Sequence, residues 1–327
     1  MGGSIAALAG AALFANHRTA RTLLAPVLKQ REPPPGAGQW LSGVAMGAGG
    51  VRRWWLYRPP DAKFGERLPL MVMLHGCRQN ASLFATSTRM NAIAARERFL
   101  VLYPEQERAA NAQGCWNWFD TSSGRAYGEA ASIMSAIDQV CMLYSADRDR
   151  IAVAGLSAGA SMAALLAIRQ PRRFKAVIMH SGIPPGTAHS TLSAVSAMHG
   201  GRNTRPLPAR PAATGEGLPP LLVIHGREDT VVAPSNGLAA VHVWAEEAGA
   251  RGAVQRTVQR GKRYATLVTD FKRRGSTAAT LVEVTTLGHA WSGGAAGQAY
   301  SDGQGPDASR MAWRFARRQF QEATIGR

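Results

Sequence analysis

Residues 151–169 read IAVAGLSAGASMAALLAIR. An apolar run suited to a buried strand leads into Gly-Leu-Ser-Ala-Gly, and a helical run rich in alanine and leucine follows. A small residue two places before a serine and another two places after it is what a very tight turn requires. Such a turn lifts the serine side chain off the sheet. The helix that follows aims its free N–H groups and positive dipole end at that side chain. Ser157 is therefore the candidate nucleophile. The competing reading is a strand-to-helix turn whose glycines serve packing alone.

A serine hydroxyl is a poor nucleophile near neutral pH. It needs a histidine to take its proton and an acid to orient that histidine. On a strand–turn–helix nucleophile of this type, the chain order is nucleophile, acid, histidine. Downstream, LLVIHGREDTVVAP (221–234) places Asp229 in the loop after an apolar strand, and TTLGHAWSGG (285–294) places His289 in a glycine-flanked loop. Both satisfy the order. His75 and His225 each precede a glycine at a strand end and read as loop histidines, while His180 follows an apolar strand and is expected to pack near the serine. Glu228 is expected to point away from the site, and Asp302 and Asp307 follow His289 and break the order. The oxyanion of acyl transfer needs two N–H donors. The residue after the serine, Ala158, supplies one candidate, and Cys77 in HGCRQN (75–80) supplies the other.

The rest of the chain repeats the alternation of short apolar strand and helix. VRRWWLYRP (51–59), LPLMVMLHG (68–76), FLVLYP (99–104), FKAVIMHSG (174–182), LPPLLVIHG (218–226) and the first part of ATLVEVTTLGHAW (279–291) read as strands. Helices are expected at 87–98, 129–144, 234–249 and 306–320. That alternation predicts an α/β fold with a mostly parallel sheet covered on both faces. Residues 184–219 carry Gly, Pro, Ser and Arg with little periodicity and read as an insertion over the sheet, either flexible or a lid.

The 327 residues carry a formal net charge of +17, with 46% hydrophobic residues. Lys and Arg are scattered, and the densest block is 251–274, with QRGKRY and FKRRG in it. A basic excess suits contact with an anionic surface or a solvated exterior. Zinc-finger spacing, RNP-like aromatics and a Walker motif are all missing from the sequence, so nucleic acid is not an expected partner. No run of about 20 apolar residues is present, so no transmembrane segment is expected. The cysteines, Cys77, Cys115 and Cys141, lack metal-site spacing, and no metal or cofactor is expected. SIAALAGAALFA (4–15) has the apolarity of a signal-peptide core without a basic residue before it, and an amphipathic helix or a tail fits it equally. REPPPGAGQ (31–39) reads as a linker into a catalytic domain spanning 40–327.

LHGCRQNASLFA, LYPEQ, GCWNWF, GLSAGASM, HGREDTVV and GHAWSGG occur in that order along the chain. Together they resemble the polyhydroxybutyrate (PHB) depolymerase family of esterases, from about Arg53 to Phe320. The resemblance implies an α/β-hydrolase fold without metal or cofactor. It implies Ser157, Asp229 and His289 as the triad, and Cys77 with Ala158 as oxyanion donors. It marks Trp116, Trp118 and Trp291 as substrate-facing. Flat aromatic walls suit an apolar polyester, and core packing is the alternative role for these rings. The implied reaction is hydrolysis of short-chain polyhydroxyalkanoate esters. Feruloyl and acetyl-xylan esters are the alternative substrates, and a non-catalytic basic protein coating a polymer or granule is the alternative class. Cys77 and Cys115 both fall in these motifs and are candidates to pair. A serine/threonine-rich linker and a separate polymer-binding module are not legible, which argues against attack on crystalline polymer. The resemblance leans to an extracellular location, and the weak leader leaves a cytoplasmic one open.

Overall fold

A computed structural model describes residues 33–47, 49–63, 65–201 and 217–325. The N-terminal leader reading and residues 202–216 of the expected insertion lie outside the described residues. An eleven-stranded sheet organises the rest. Its central strands are β3 (Leu68–Leu74), β4 (Leu100–Pro104), β5 (Ala146–Leu156), β6 (Ala176–His180), β7 (Leu221–Gly226) and β11 (Ser276–Val284). They run parallel in the order β4-β3-β5-β6-β7-β11. An antiparallel hairpin, β1 (Gln39–Gly47) and β2 (Gly50–Arg58), extends the sheet beyond β4. At the far side β10 (Thr266–Arg273) pairs antiparallel with β11 and carries the short β8 (Arg251–Gly252) and β9 (Arg256–Val258).

A parallel strand is covered on both faces, so successive residues must enter opposite cores. In β3 they do. Leu70, Val72 and Leu74 belong to one core, and Met71 and Met73 to the other. The first core is closed by α3 (Arg125–Leu143), α4 (Ala158–Arg169) and α6 (Ser235–Ala248). The second is closed by α1 (Ala81–Thr88), α2 (Met90–Glu97) and α7 (Ala308–Ile325). This is the α/β-hydrolase arrangement that the resemblance implied.

Four elements differ from the sequence reading. The helix expected at 87–98 is two helices, broken at Arg89, whose φ of 57° is left-handed. The Asn80 side chain caps the first of them by accepting from the Leu83 N–H. The linker expected up to residue 39 leads straight into β1, which is mostly exposed and so lacks a clear apolar alternation. The basic block 251–274 forms the antiparallel edge of the sheet, where charged side chains discourage pairing with another chain. The insertion contains a helix, α5 (Thr191–Met198), started by a Ser190/Ser193 capping box.

Three backbone segments meet at the end of β5. A Cβ on Gly155 would overlap the backbone of Gly159, and a Cβ on Gly159 would overlap the Leu74 carbonyl. Gly159→Ala is therefore expected to cost about 3 kcal/mol or more in stability, by overpacking against rigid backbone. Urea denaturation checks this, and an unchanged midpoint would contradict it.

Candidate active site

Parallel α/β sheets place their ligands beyond the carboxyl ends of the strands, and the expected residues converge there. Ser157 follows β5 with φ 56° and ψ −122°, a backbone conformation outside the comfortable range for a residue with a side chain. Its N–H donates to the His180 carbonyl at the end of β6, and its carbonyl accepts from Ala160 N–H as α4 begins. Ser157, Ala158, Cys77 and His289 line one cavity of about 790 Å³.

Asp229 follows β7, and its carboxylate is wholly buried. Its Oδ1 accepts from the N–H groups of Val231 (3.0 Å) and Val232 (2.8 Å). Its Oδ2 lies 2.8 Å from His289 Nδ1. Burial opposes ionisation, but the contacts from His225, His289 and the Val232 N–H outweigh it and hold the carboxyl well below the usual carboxylate range. A carboxylate only accepts, so His289 Nδ1 carries a proton, and in the neutral ring this tautomer leaves the lone pair on Nε2. The two loops are locked together by Arg227 N–H to the Val284 carbonyl and Glu228 N–H to the Leu287 carbonyl. Gly226 permits this approach, because a Cβ there would overlap the Leu287 carbonyl.

The loop after β3 surrounds Cys77 with satisfied donors. Gly76 N–H donates to Gln79 Oε1 (2.9 Å), Arg78 N–H to the Gln113 carbonyl (2.8 Å) and Gln79 N–H to the Gly76 carbonyl (3.3 Å). Among the described residues none accepts from the Cys77 N–H. Ala158 is the first residue of α4, where a helix has no internal acceptor for its N–H. Cys77 and Ala158, whose N–H groups have these free positions, line the same cavity as Ser157.

The opposite wall is the loop 105–119, fixed by a buried polar network. Arg52 donates to the Glu105 carbonyl, Gln106 Oε1 and Ser132 Oγ, with its guanidinium 5.0 Å from the Trp116 ring centre. Glu129 accepts from Gln106 Nε2 (2.7 Å), Asn117 Nδ2 (2.6 Å) and Asn117 N–H (2.8 Å). Such a network carries its charges only because each has partners. Nothing in the sequence order singled out Arg52, Gln106 or Glu129. Gln106 lies in the LYPEQ motif, but its role depends on contacts across the fold.

Trp116 and Trp118 line the cavity, though both are largely buried. Trp116 Nε1 donates to the His75 carbonyl (3.0 Å), so this ring is as much a support of the wall as its surface. Trp291, expected to face substrate, is placed elsewhere. It is 0% exposed, stacks on His180 with ring centres 5.0 Å apart, and donates to Ser309 Oγ in the second core. The backbone after His289 turns its side chain inward, which sequence adjacency to the histidine did not reveal. Of the rival histidines, His75 accepts from Gln106 N–H through Nε2, and burial first, then the Arg52 charge, push it down to about 4. His180 accepts from Ser292 N–H, and burial chiefly pushes it down to about 3. Both hold loops as neutral rings. Among the described residues no group of three or more His, Cys, Asp or Glu is arranged to hold a metal ion.

Cys77 and Cys115 form a disulfide with Cα atoms 4.3 Å apart, joining the oxyanion-side loop to the aromatic wall, while Cys141 is free and buried. Closing a loop across a sequence separation of 38 contributes about 4 kcal/mol on a chain-entropy estimate. Thiol titration of denatured, unreduced protein should find a single thiol. Mild reduction should lower turnover of a short p-nitrophenyl ester by about a hundredfold, since the loss of one oxyanion donor alone costs that much. Full activity after complete reduction would contradict the link between bridge and site.

Comparison with known proteins identifies the family and the fold. Residues 53–257 match the family described as Esterase PHB depolymerase. Poly(3-hydroxyalkanoate) depolymerase C of Paucimonas lemoignei is 35% identical over 175 residues, which cover 51% of this chain and 42% of that protein. Acetylxylan esterase A of Talaromyces purpureogenus is 25% identical over 71% of this chain and 62% of its own length. Feruloyl esterase B of Neurospora crassa is 26% identical over 58% of this chain and 68% of its own. The chain thus spans between about two fifths and two thirds of these relatives. Among solved structures, an acetyl xylan esterase from Aspergillus awamori shares the fold with a TM-score of 0.63 at 20% identity, covering 78% of this chain and 94% of that one. The family match across 53–257 takes in more than half of the chain, and the chain belongs to the PHB depolymerase family of esterases.

Proposed function

We propose that the protein is a serine esterase that hydrolyses short-chain polyhydroxyalkanoate esters through an acyl-enzyme. The observation that carries this reading is that the strained Ser157 and His289 line one cavity, with the buried Asp229 carboxylate 2.8 Å from His289 Nδ1. His289 Nε2 takes the Ser157 proton as the oxygen attacks the ester carbonyl. The N–H groups of Cys77 and Ala158 receive the oxyanion, each contributing roughly a hundred- to thousandfold in rate. The alcohol departs with the proton from His289. Water, deprotonated by the same ring, then releases the acid and restores Ser157.

The cavity walls support an apolar acyl chain. Phe119, Ile183, Val195, Met198 and Val231 line it alongside the two tryptophans. Leu192 of α5 is 85% exposed, and Val195 and Val231 are also exposed. An exposed apolar patch of this kind beside a cavity suits a polymer with regular carbonyls. One feature favours the acetyl- or feruloyl-ester reading. Asn111, Gln113, Asp120 and Arg125 line the same cavity and offer hydrogen bonds to a sugar. A non-catalytic polymer coat, held by the basic exterior, has no use for a strained serine that shares a cavity with a carboxylate-paired histidine.

The test compares amorphous poly-3-hydroxybutyrate, a feruloylated oligosaccharide and a short p-nitrophenyl ester, with wild type and Ser157→Ala. The expected result is polymer clearing that the variant loses by at least about 10⁴-fold while keeping its fold. Activity on the sugar esters alone would move the substrate to the second reading. Retained p-nitrophenyl hydrolysis by Ser157→Ala would remove Ser157 from the mechanism.

A further inference from the structure

His225 stands next to last in β7, and its side chain is 1% exposed. Its Nε2 lies 2.9 Å from the Val232 carbonyl and 3.5 Å from Asp229 Oδ2. A carbonyl only accepts, so Nε2 carries the proton and points it between the two oxygens. Its Nδ1 is buried without a partner among the described residues. Gly237 of α6 closes off that side of the ring, since a Cβ there would stand 2.8 Å from Nδ1. A buried ring with an unused polar atom is unfavourable beside an apolar side chain of similar size. Packing alone therefore gives no reason for a histidine here, and the reason lies at Nε2.

The turn after β7 is closed at both ends by this ring. Val232 N–H binds Asp229 Oδ1, the Val232 carbonyl accepts from His225 Nε2, and the same Nε2 stands 3.5 Å from Oδ2. His289 approaches Oδ2 from the other side at 2.8 Å. We propose that His225 is a positioning residue for the Asp229–His289 pair, its Nε2–H fixing the carboxylate and drawing off charge that would otherwise face His289. This rests on the triad reading above.

The pH consequence follows from the groups around the pair. His180, from the end of β6, is the other buried titratable ring and is held neutral by burial, with His225 and His289 as nearby charges. Arg227 and Glu228, from the Asp229 loop itself, are exposed. Removing the His225 donor leaves the Oδ2 charge to His289 alone, which favours the protonated ring. Activity then needs a higher pH to free the base, so the acid limb of kcat/KM moves up.

The experiment measures kcat/KM against pH on a p-nitrophenyl ester for wild type, His225→Gln and His225→Leu, with Ser157→Ala as the control. His225→Leu is expected to lose about tenfold in kcat and to raise the acid limb by about half to one pH unit. His225→Gln, which keeps an N–H donor, is expected to return the limb toward wild type. If His225→Leu does not fold, His225→Met, whose flexible thioether packs without donating, takes its place. An acid limb unchanged in the apolar variant overturns the proposal even if kcat falls, as does an equal shift in His225→Gln. Activity in Ser157→Ala would instead overturn the triad reading, so the two failures are distinguishable.

Discussion

The close approach of β5, the start of α4 and the end of β3 is the constraint on which the structure depends. Ser157 sits at φ 56°, a region that costs of order 1–3 kcal/mol for a residue with a side chain. It is held there because Gly155 and Gly159 allow backbone to touch backbone, with Gly159 against the Leu74 carbonyl. The same contact brings the loop after β3, with the Cys77 N–H, beside the first turn of α4, with the Ala158 N–H. One packing event thus assembles serine and both candidate oxyanion donors. The acid and the histidine arrive from β7 and β11, neighbours in the sheet, and are latched by two backbone hydrogen bonds near Gly226.

A second layer of buried polar groups holds the cavity wall. Arg52 from the hairpin, Gln106 after β4 and Glu129 from α3 each bond to the loop that carries Cys115, Trp116 and Asn117. The disulfide ties that loop to the oxyanion side. The site is therefore braced by rigid elements on each flank, as a preorganised electrostatic site requires. The exposed apolar residues of α5 lie at its mouth, where a chain-like substrate would arrive.

The placement of the candidate residues Ser157, Asp229, His289, Cys77 and Ala158 at one edge was legible because their local motifs sit at strand ends, and the parallel fold converts strand ends into a common edge. The core strands were legible from their continuous apolar runs. Trp291 was misread because adjacency to His289 in sequence says nothing about which side of the loop a ring takes. The break at Arg89 was hidden, since a single left-handed residue leaves no mark on a helical pattern. β1 and the basic edge strands were obscure because exposed strands carry little apolar alternation. Arg52 and Glu129 lie some 77 residues apart in sequence and meet only through tertiary packing around Gln106.

The central claim is that Ser157 is an activated nucleophile held by this elbow. Labelling with a fluorophosphonate, followed by peptide mass spectrometry, addresses it most directly. The expected result is one covalent adduct, on the peptide carrying Ser157, with ester hydrolysis lost in proportion to labelling. An adduct on another residue, or undiminished hydrolysis by the fully labelled protein, would contradict it.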